Sequence, residues 1–383
     1  MQIPATFTYE QIRGPVPIAR AAIYAVPRHI IRTVSCGNNL HLTLPKKSFL
    51  CRPDIMHIPE DAAKASQGQV SYPLTLDLKT ELEPVIMSES GDNKRPLIGI
   101  IGGSGLYDMD GLSNTQFVRV GSSFGDPSDD LLFGEIAGQR IVFLPRHGRG
   151  HRIPPTQINY RANIDALKRA GVTDILSFSA VGSLREDLPP GAFVIVDQFI
   201  DRTIAREKSF FGEGLSAHVA VANPTCSRLG DALEAAASRG GVDARRGGTY
   251  IAIEGPQFST LAESNLYRQW GCDVIGMTNM PEAKLAREAE ICYATMAMVT
   301  DYDTWHPDHE SVTVDMVIKM LSANAQNAAA LARQAVPELQ DRPDACPNGC
   351  DRVLDTAIIT PPAARDPEMV AKLGAIAGRV LQP

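Results

Sequence analysis

The sequence predicts an α/β fold, a central mixed and largely parallel β-sheet flanked by helices. Three observations predict it. From Arg95 onward, short apolar runs alternate with segments of helical spacing. Most of the apolar runs stop at a glycine-rich or polar group, the position where sheets of this class bind ligands. The chain of 383 residues is 44% hydrophobic and 21% charged, a globular balance with enough length for one large domain or two ordinary ones.

Residues 1–94 stand apart from that pattern. They carry prolines at short intervals and only short strand-like pieces, such as 40–44. A polar stretch at 88–94 reads as a linker. The expectation is a poorly ordered leader, or upstream sequence translated from a misassigned start, with Met87 as the alternative start. The regular domain spans 95–340, and 341–383 forms a tail with a helix.

Within the domain, 97–101 is a buried strand that runs into Gly102-Gly103-Ser104-Gly105, and 140–144 is a strand ending at Arg146-His147. Residues 159–170 have helical spacing, and Gly171 stops them. Strands follow at 174–178 and 193–196, then a loop through 211–214. Residues 226–240 form a helix that Gly240-Gly241 ends. A strand at 249–253, a helix at 261–270 and a strand at 273–277 come next. Pro281 opens a helix where its missing N–H costs nothing. The apolar run 291–299 is a buried strand, and 313–336 is one long helix.

Composition excludes several classes. A formal net charge of −7 gives no general attraction to nucleic acid or acidic membranes. No apolar run reaches the roughly 18 residues that span a bilayer. Pro15, Pro17 and Pro27 interrupt any signal-peptide pattern. Seven scattered cysteines do not read as a secreted disulfide framework, so a reduced, cytoplasmic enzyme is expected.

The chemistry gathers at strand ends. Asp301 and Asp303 alternate, so they share one face of an extended chain at the mouth of a buried strand. Two like charges there cost stability unless something needs them, and solvated aspartates at a strand exit are the alternative. The 102–105 loop lets backbone N–H groups approach an anion, as a tight strand–helix turn also would. It is no dinucleotide fingerprint, because Asp108 falls where the third glycine belongs. His147 and His151 have metal-like spacing, but Arg146 and Arg149 beside them repel a cation. A phosphate suits them better, and Ser179 and Thr278 can add hydroxyls; an exposed basic loop is the alternative. Phe258 offers a flat face to a heterocycle unless it is core. Cys346 and Cys350 could bind metal or form a small disulfide, but with no second pair near them in sequence they read as a structural turn, and no metal is expected.

Taken in order, the blocks IGIIGGSGLYD, RHGRGH, NYRAN, AVGSLRE, VIVDQFIDRT, IEGPQFST, AES, WGCDVIGMT, PEA and ATMAMVTDYDTW resemble the methylthioadenosine phosphorylase family of the purine nucleoside phosphorylase superfamily, from about Pro96 to Leu339. The resemblance implies phosphorolysis of methylthioadenosine to adenine and 5-methylthioribose 1-phosphate, in methionine and purine salvage. It implies no cofactor beyond inorganic phosphate as co-substrate, no nucleic acid or membrane partner, and a homotrimer with shared active sites. By resemblance, Ser104, Arg146, His147, Ser179 and Thr278 hold phosphate, with backbone near Ala180. Asp301 is the general acid, and Asp303 accepts from the 6-amino group. Met277 packs on ribose; Val314, Val317 and Ile318 face the methylthio group; His218 reaches in from a neighbouring subunit. Ser259 follows Phe258 where relatives that take 6-oxopurines carry glutamate, which favours adenine-type bases.

The alternatives are a nucleosidase, a phosphorylase for methylthioinosine or inosine and guanosine, or a non-catalytic binding protein on a retired enzyme. The phosphate cradle, the paired aspartates and the intact catalytic set speak against them in turn. A dinucleotide-dependent oxidoreductase fails on the glycine pattern.

Overall fold

The computed structural model describes residues 33–36, 40–43, 96–103, 111–307 and 314–381. The chain divides into two compact units, 1–85 and 86–383. In the first, β1 (Thr33–Cys36) and β2 (Leu40–Thr43) pair antiparallel with Thr33 opposite Thr43. The other expectations for 1–94, the start at Met87 among them, fall outside the described residues.

The second unit is built on one large mixed sheet. Its central strands are β3 (Leu97–Gly102), β7 (Val172–Ser183) and β13 (Cys292–Asp301), paired parallel as β13-β7-β3. On one side follow β6 (Gln139–Pro145), β5 (Leu131–Ile136) and β4 (Leu112–Val118). On the other lie β8 (Phe193–Val196) and β10 (Ala244–Arg246). A branch of β12 (Val274–Gly276), β11 (Thr249–Ala252) and β9 (Gln198–Asp201) leaves from the end of β7. Parallel pairs prevail, as the alternation of strands and helices predicts. The sequence reading lacks β4, a mostly exposed polar strand with no apolar signature, and also β5, although its residues are apolar and mostly buried.

Every residue of β13 is buried, as for a strand covered on both faces. Strand alternation splits the core in two. Leu97 and Ile101 of β3 pack with Ile164 and Leu167 of α1 (Tyr160–Arg169) and Ala283 of α4 (Asn279–Glu288). Ile98 and Ile100 face the other way, toward Leu229 and Leu233 of α2 (Ser227–Gly240) and Leu331 of α5 (Val314–Ala335).

Local chemistry sets the helix ends. The Asn159 side chain accepts from the Ala162 N–H at the start of α1. Thr260 and Glu263 form a reciprocal capping box on α3 (Leu261–Gln269). In α4, Met280 has φ −117° and ψ 131°, the extended conformation forced on a residue before proline, so the helix proper begins at Pro281.

The tail carries two short helices, α6 (Pro367–Lys372) and α7 (Gly374–Leu381), where one was expected. It is stitched to the domain. Glu290 accepts from Arg379 Nη2 at 2.6 Å and from the Leu354 N–H at 3.0 Å, and Ile358 pairs with Ala217. No helix among the described residues is long and apolar enough to cross a membrane.

Candidate active site

β3 and β6 end side by side, Gly102 beside Pro145, and the Arg146 N–H donates to the Gly102 carbonyl at 3.1 Å. The two expected anion loops therefore leave the sheet together. Ser104 lies outside the described residues.

Ser179 and Ala180 sit within β7 rather than past its end, because the strand runs on to Ser183 and turns its last residues against β12. The Ser179 hydroxyl lies 3.0 Å from that of Thr278 and 3.4 Å from the Tyr250 hydroxyl. Thr278 stands at the N-cap of α4 yet spends no side-chain bond on the cap. Two hydroxyls thus converge, neither of them spent on a helix cap, a combination that can receive an anion.

Arg146 is placed differently from the sequence expectation of a free fork. It is buried, and its Nε and Nη2 donate to Glu282 at 2.7 and 3.0 Å. Nη2 also reaches Ser177 Oγ at 2.7 Å, and Nη1 reaches the Phe178 carbonyl at 3.0 Å. One Nη1 N–H is left over for a ligand. Glu282 in turn accepts from Ser177 and Tyr293 hydroxyls, each at 2.9 Å. This buried network was missed in the sequence. An acidic residue in the first turn of a helix reads as a complement to the helix dipole, and only tertiary structure brings it under Arg146.

His147 Nδ1 lies 2.9 Å from the Ile153 carbonyl, which can only accept, so Nδ1 carries the hydrogen. Burial drives its pKa down to about 4, and neighbouring His151, Arg146 and Arg206 add to the effect. The ring is neutral at physiological pH and presents Nε2 as an acceptor. It stacks on His151 with centroids 4.1 Å apart.

Across β7 and β13 the register sets Ala297 beside Ser179 and Asp301 beside Gly182. Both expected carboxylates are buried at that end. Asp301 Oδ2 accepts from the Thr300 hydroxyl at 2.6 Å, and Oδ1 accepts from the Asp303 N–H at 2.8 Å. Burial raises the Asp301 pKa, and these two bonds oppose the rise. Asp303 is pushed up to about 6 by burial, with the Asp301 charge adding and the Ser264 and Ser259 side chains opposing. Its Oδ2 is buried without a hydrogen-bond partner. The sequence reading puts the proton on Asp301; in the free protein these bonds favour Asp303 as its holder. Gly182 makes room for the pair: a Cβ there would lie 2.9 Å from Asp301 Oδ1.

Phe258 is not core; it is 42% exposed beside buried Ser259. Met277 is half-buried, and its carbonyl accepts from Arg206 Nη1 at 2.7 Å. Gly255 passes so close that a Cβ would meet Met277 Sδ at 2.4 Å. Arg206 and Glu254, also unanticipated, brace this wall through a 3.1 Å ion pair. Val314, Val317 and Ile318 lie on the opening turns of α5, but their side chains fall outside the described residues. His218 is exposed, and its N–H donates to the Ala357 carbonyl of the tail at 2.9 Å.

The expectation of an isolated Cys346–Cys350 turn needs correction. The fold supplies the second pair, Cys226 and Cys292, and the four sulfurs lie within 4.8 Å of one another.

A hydroxyl cradle beside a buried pair of carboxylates on an α/β sheet defines a class, and the comparisons agree with it: a model of the phosphorylase superfamily matches residues 97–337. Within the class, the Rhodospirillum rubrum S-methyl-5′-thioadenosine phosphorylase is 62% identical over 288 residues, covering 75% of this chain and 98% of the relative. The Cereibacter sphaeroides protein of the same name is 59% identical over 75% of this chain and 99% of the relative. A methylthioadenosine phosphorylase crystal structure from an Antarctic soil metagenomic library superposes with TM-score 0.69 at 48% identity, covering 74% of this chain and 99% of that one. The chain belongs to the S-methyl-5′-thioadenosine phosphorylase family.

Proposed function

We propose that the protein cleaves S-methyl-5′-thioadenosine with inorganic phosphate, giving adenine and S-methyl-5-thio-α-D-ribose 1-phosphate, as a pentosyltransferase of methionine and purine salvage. The observation that carries the reading is the convergence of the Ser179 and Thr278 hydroxyls on one side and the buried Asp301–Asp303 pair on the other. Three residues of β7 separate Ser179 from Gly182, about 10 Å, which leaves a sugar's width between anion and base.

Phosphate rests on the Ser179 and Thr278 hydroxyls, the remaining Arg146 N–H and the 102–105 loop with Ser104. Neutral His147 accepts from a protonated phosphate oxygen through Nε2. The phosphate oxygen attacks the anomeric carbon as the bond to the purine breaks, and charge builds on the sugar through an oxocarbenium-like transition state. The aspartate pair gives its proton to the imidazole-ring nitrogen of the departing adenine, while the other carboxylate accepts from the 6-amino group. Phe258 stacks on the base, Met277 lies on the ribose, and Val314 and Val317 meet the methylthio group. No cofactor enters the reaction. The exposure of Phe258 and His218 supports a homotrimer in which a neighbouring subunit completes each site, and the five unpaired cysteines among the described residues support a cytoplasmic location.

Arg146 is already neutralised by Glu282, which keeps hydrolysis in view as a second reading. One assay separates the two. Base release is followed from methylthioadenosine, adenosine, methylthioinosine and inosine, with and without phosphate. Phosphorolysis requires release to depend on phosphate and to favour the adenine forms. Equal release without phosphate refutes it, and faster cleavage of the inosine forms refutes the base assignment.

A further inference from the structure

Cys226, Cys292, Cys346 and Cys350 come from three separate parts of the chain: the N-cap of α2, the first residue of β13 and the tail loop 346–350. All four are buried, and their sulfurs lie within 4.8 Å of one another, with Cys226 and Cys346 at 3.7 Å. A tetrahedral zinc with bonds of about 2.3 Å sets its sulfurs about 3.8 Å apart. A disulfide would require about 2.05 Å, and an iron–sulfur cluster holds its thiolates much farther apart than a single ion does.

The surroundings suit thiolates. Arg287 Nη1 lies 3.2 Å from Cys350 Sγ. Arg228 and Arg342 stand near Cys292, and both also pair with the buried Asp174; Cys226 itself stands at the N-cap of α2. Three guanidiniums, two of them shared with Asp174, and the N-terminus of α2 favour the −2 charge of a divalent ion held by four thiolates. The loop has the form such sites need. Gly349, at φ +63°, folds Cys350 back toward Cys346, and the Gly349 N–H donates to the Cys346 carbonyl at 2.8 Å. Asn348 Oδ1 accepts from Cys226 Sγ at 3.5 Å. Turned over, its amide would donate to a thiolate instead.

We propose that these four cysteines hold one structural zinc ion, which fastens the C-terminal tail to α2 and β13. Each thiol that is protonated releases its proton as the ion binds. All four ligands come from the protein, so no position is open for substrate, and the centre is structural rather than catalytic. It stands at the opposite end of β13 from Asp301, nine residues or about 30 Å away. The tail it pins also supplies the Ala357 carbonyl that holds the His218 N–H.

The full-length protein, purified under reducing conditions without chelator, should contain one zinc per chain by elemental analysis. Cys346→Ser and Cys350→Ser should lower this to a tenth or less, while Cys272→Ser, at a buried cysteine outside the group, keeps it. Cobalt exchanged for zinc should show the charge-transfer and ligand-field absorption of a tetrahedral tetrathiolate, a readout on the wild-type chain that stands even if the serine variants fail to fold. Chelation should lower the melting temperature while leaving kcat at assay temperature within about twofold. Reduced wild-type protein that takes up neither zinc nor cobalt would overturn the proposal. So would mass spectrometry of the native chain showing these cysteines paired as disulfides.

Discussion

Glu282 offers the sharpest test of how the site is held. It accepts from Arg146 Nε and Nη2, Ser177 and Tyr293, and both members of the ion pair are 2% exposed. Glu282→Ala leaves a buried guanidinium without its counter-charge. Removing one partner of a buried pair costs about 3–5 kcal/mol, a large share of a typical total of about 5–15 kcal/mol. Urea unfolding should therefore show a loss of that size, and Glu282→Gln, which keeps the shape and part of the hydrogen bonding, a smaller one. The cradle adds a second readout. An anion beside the stranded guanidinium restores the missing charge, so phosphate at a hundredfold excess over the wild-type Kd, which stabilises the wild type by about 2.7 kcal/mol, should stabilise Glu282→Ala by more. In the wild type, where Glu282 already balances Arg146, the gain should be smaller. An alanine variant within about 1 kcal/mol of wild type, or an equal phosphate effect in both, would refute this account of the cradle.

Three further outcomes follow from the same geometry. Asp301→Asn should cut kcat by at least about tenfold, and Asp303→Asn should flatten the decline of kcat/KM that the wild type shows as pH rises past about 6, because the acid must be protonated to act. Gly182→Ala places a methyl group 2.9 Å from Asp301 Oδ1 and 3.1 Å from Ile275 Cγ2; it should cost about 1–3 kcal/mol of stability in urea and a larger share of activity, since it displaces the carboxylates. His147 binds a proton less readily folded, at about 4, than at its ordinary 6.5. The stability this withholds should be fully present above about pH 6.5 and lost as pH falls toward 4, by about 3 kcal/mol, and His147→Gln should remove that slope from pH-dependent urea curves.

How much of this was legible beforehand divides by range. The strands with continuous apolar runs, 97–101, 140–144 and 291–299, were readable because burial on both faces leaves a dense local signature. β4 was not, because its residues face solvent and its place is fixed by pairing with β5. At the site, the strand-end rule located Asp301 and Arg146. It could not show that Ser179 lies inside a strand that bends onward, nor that Arg146 is spent on a glutamate 136 residues away. The cysteines teach the same lesson. Cys346 and Cys350 are a local pair in sequence, but Cys226 and Cys292 join them only through the packing of α2 and β13. Long-range polar pairing leaves no periodicity for a sequence to display.

The phosphate end of the free site carries little net charge, and that has a consequence for the order of events. Glu282 balances Arg146, His147 is neutral, and Asp303 holds its proton only up to about pH 6. A protonated acid would then be scarce at neutral pH. Phosphate changes the balance. A dianion about 10 Å from the carboxylate pair disfavours ionisation by about 3 kcal/mol at an effective dielectric of 20, or about two pKa units. Bound phosphate therefore raises the pair's proton affinity above its free value, and the nucleophile arms the acid that the leaving group needs. The sign is fixed: activity that depends on the protonated carboxyl should persist to higher pH when phosphate is bound. Measured with saturating methylthioadenosine, the basic limb of the rate profile should lie at higher pH with saturating phosphate than with limiting phosphate, and Asp303→Asn should abolish the difference. Coincident limbs in the wild type would mean that the two ends of the site do not sense each other, and that the acid is kept protonated by burial alone.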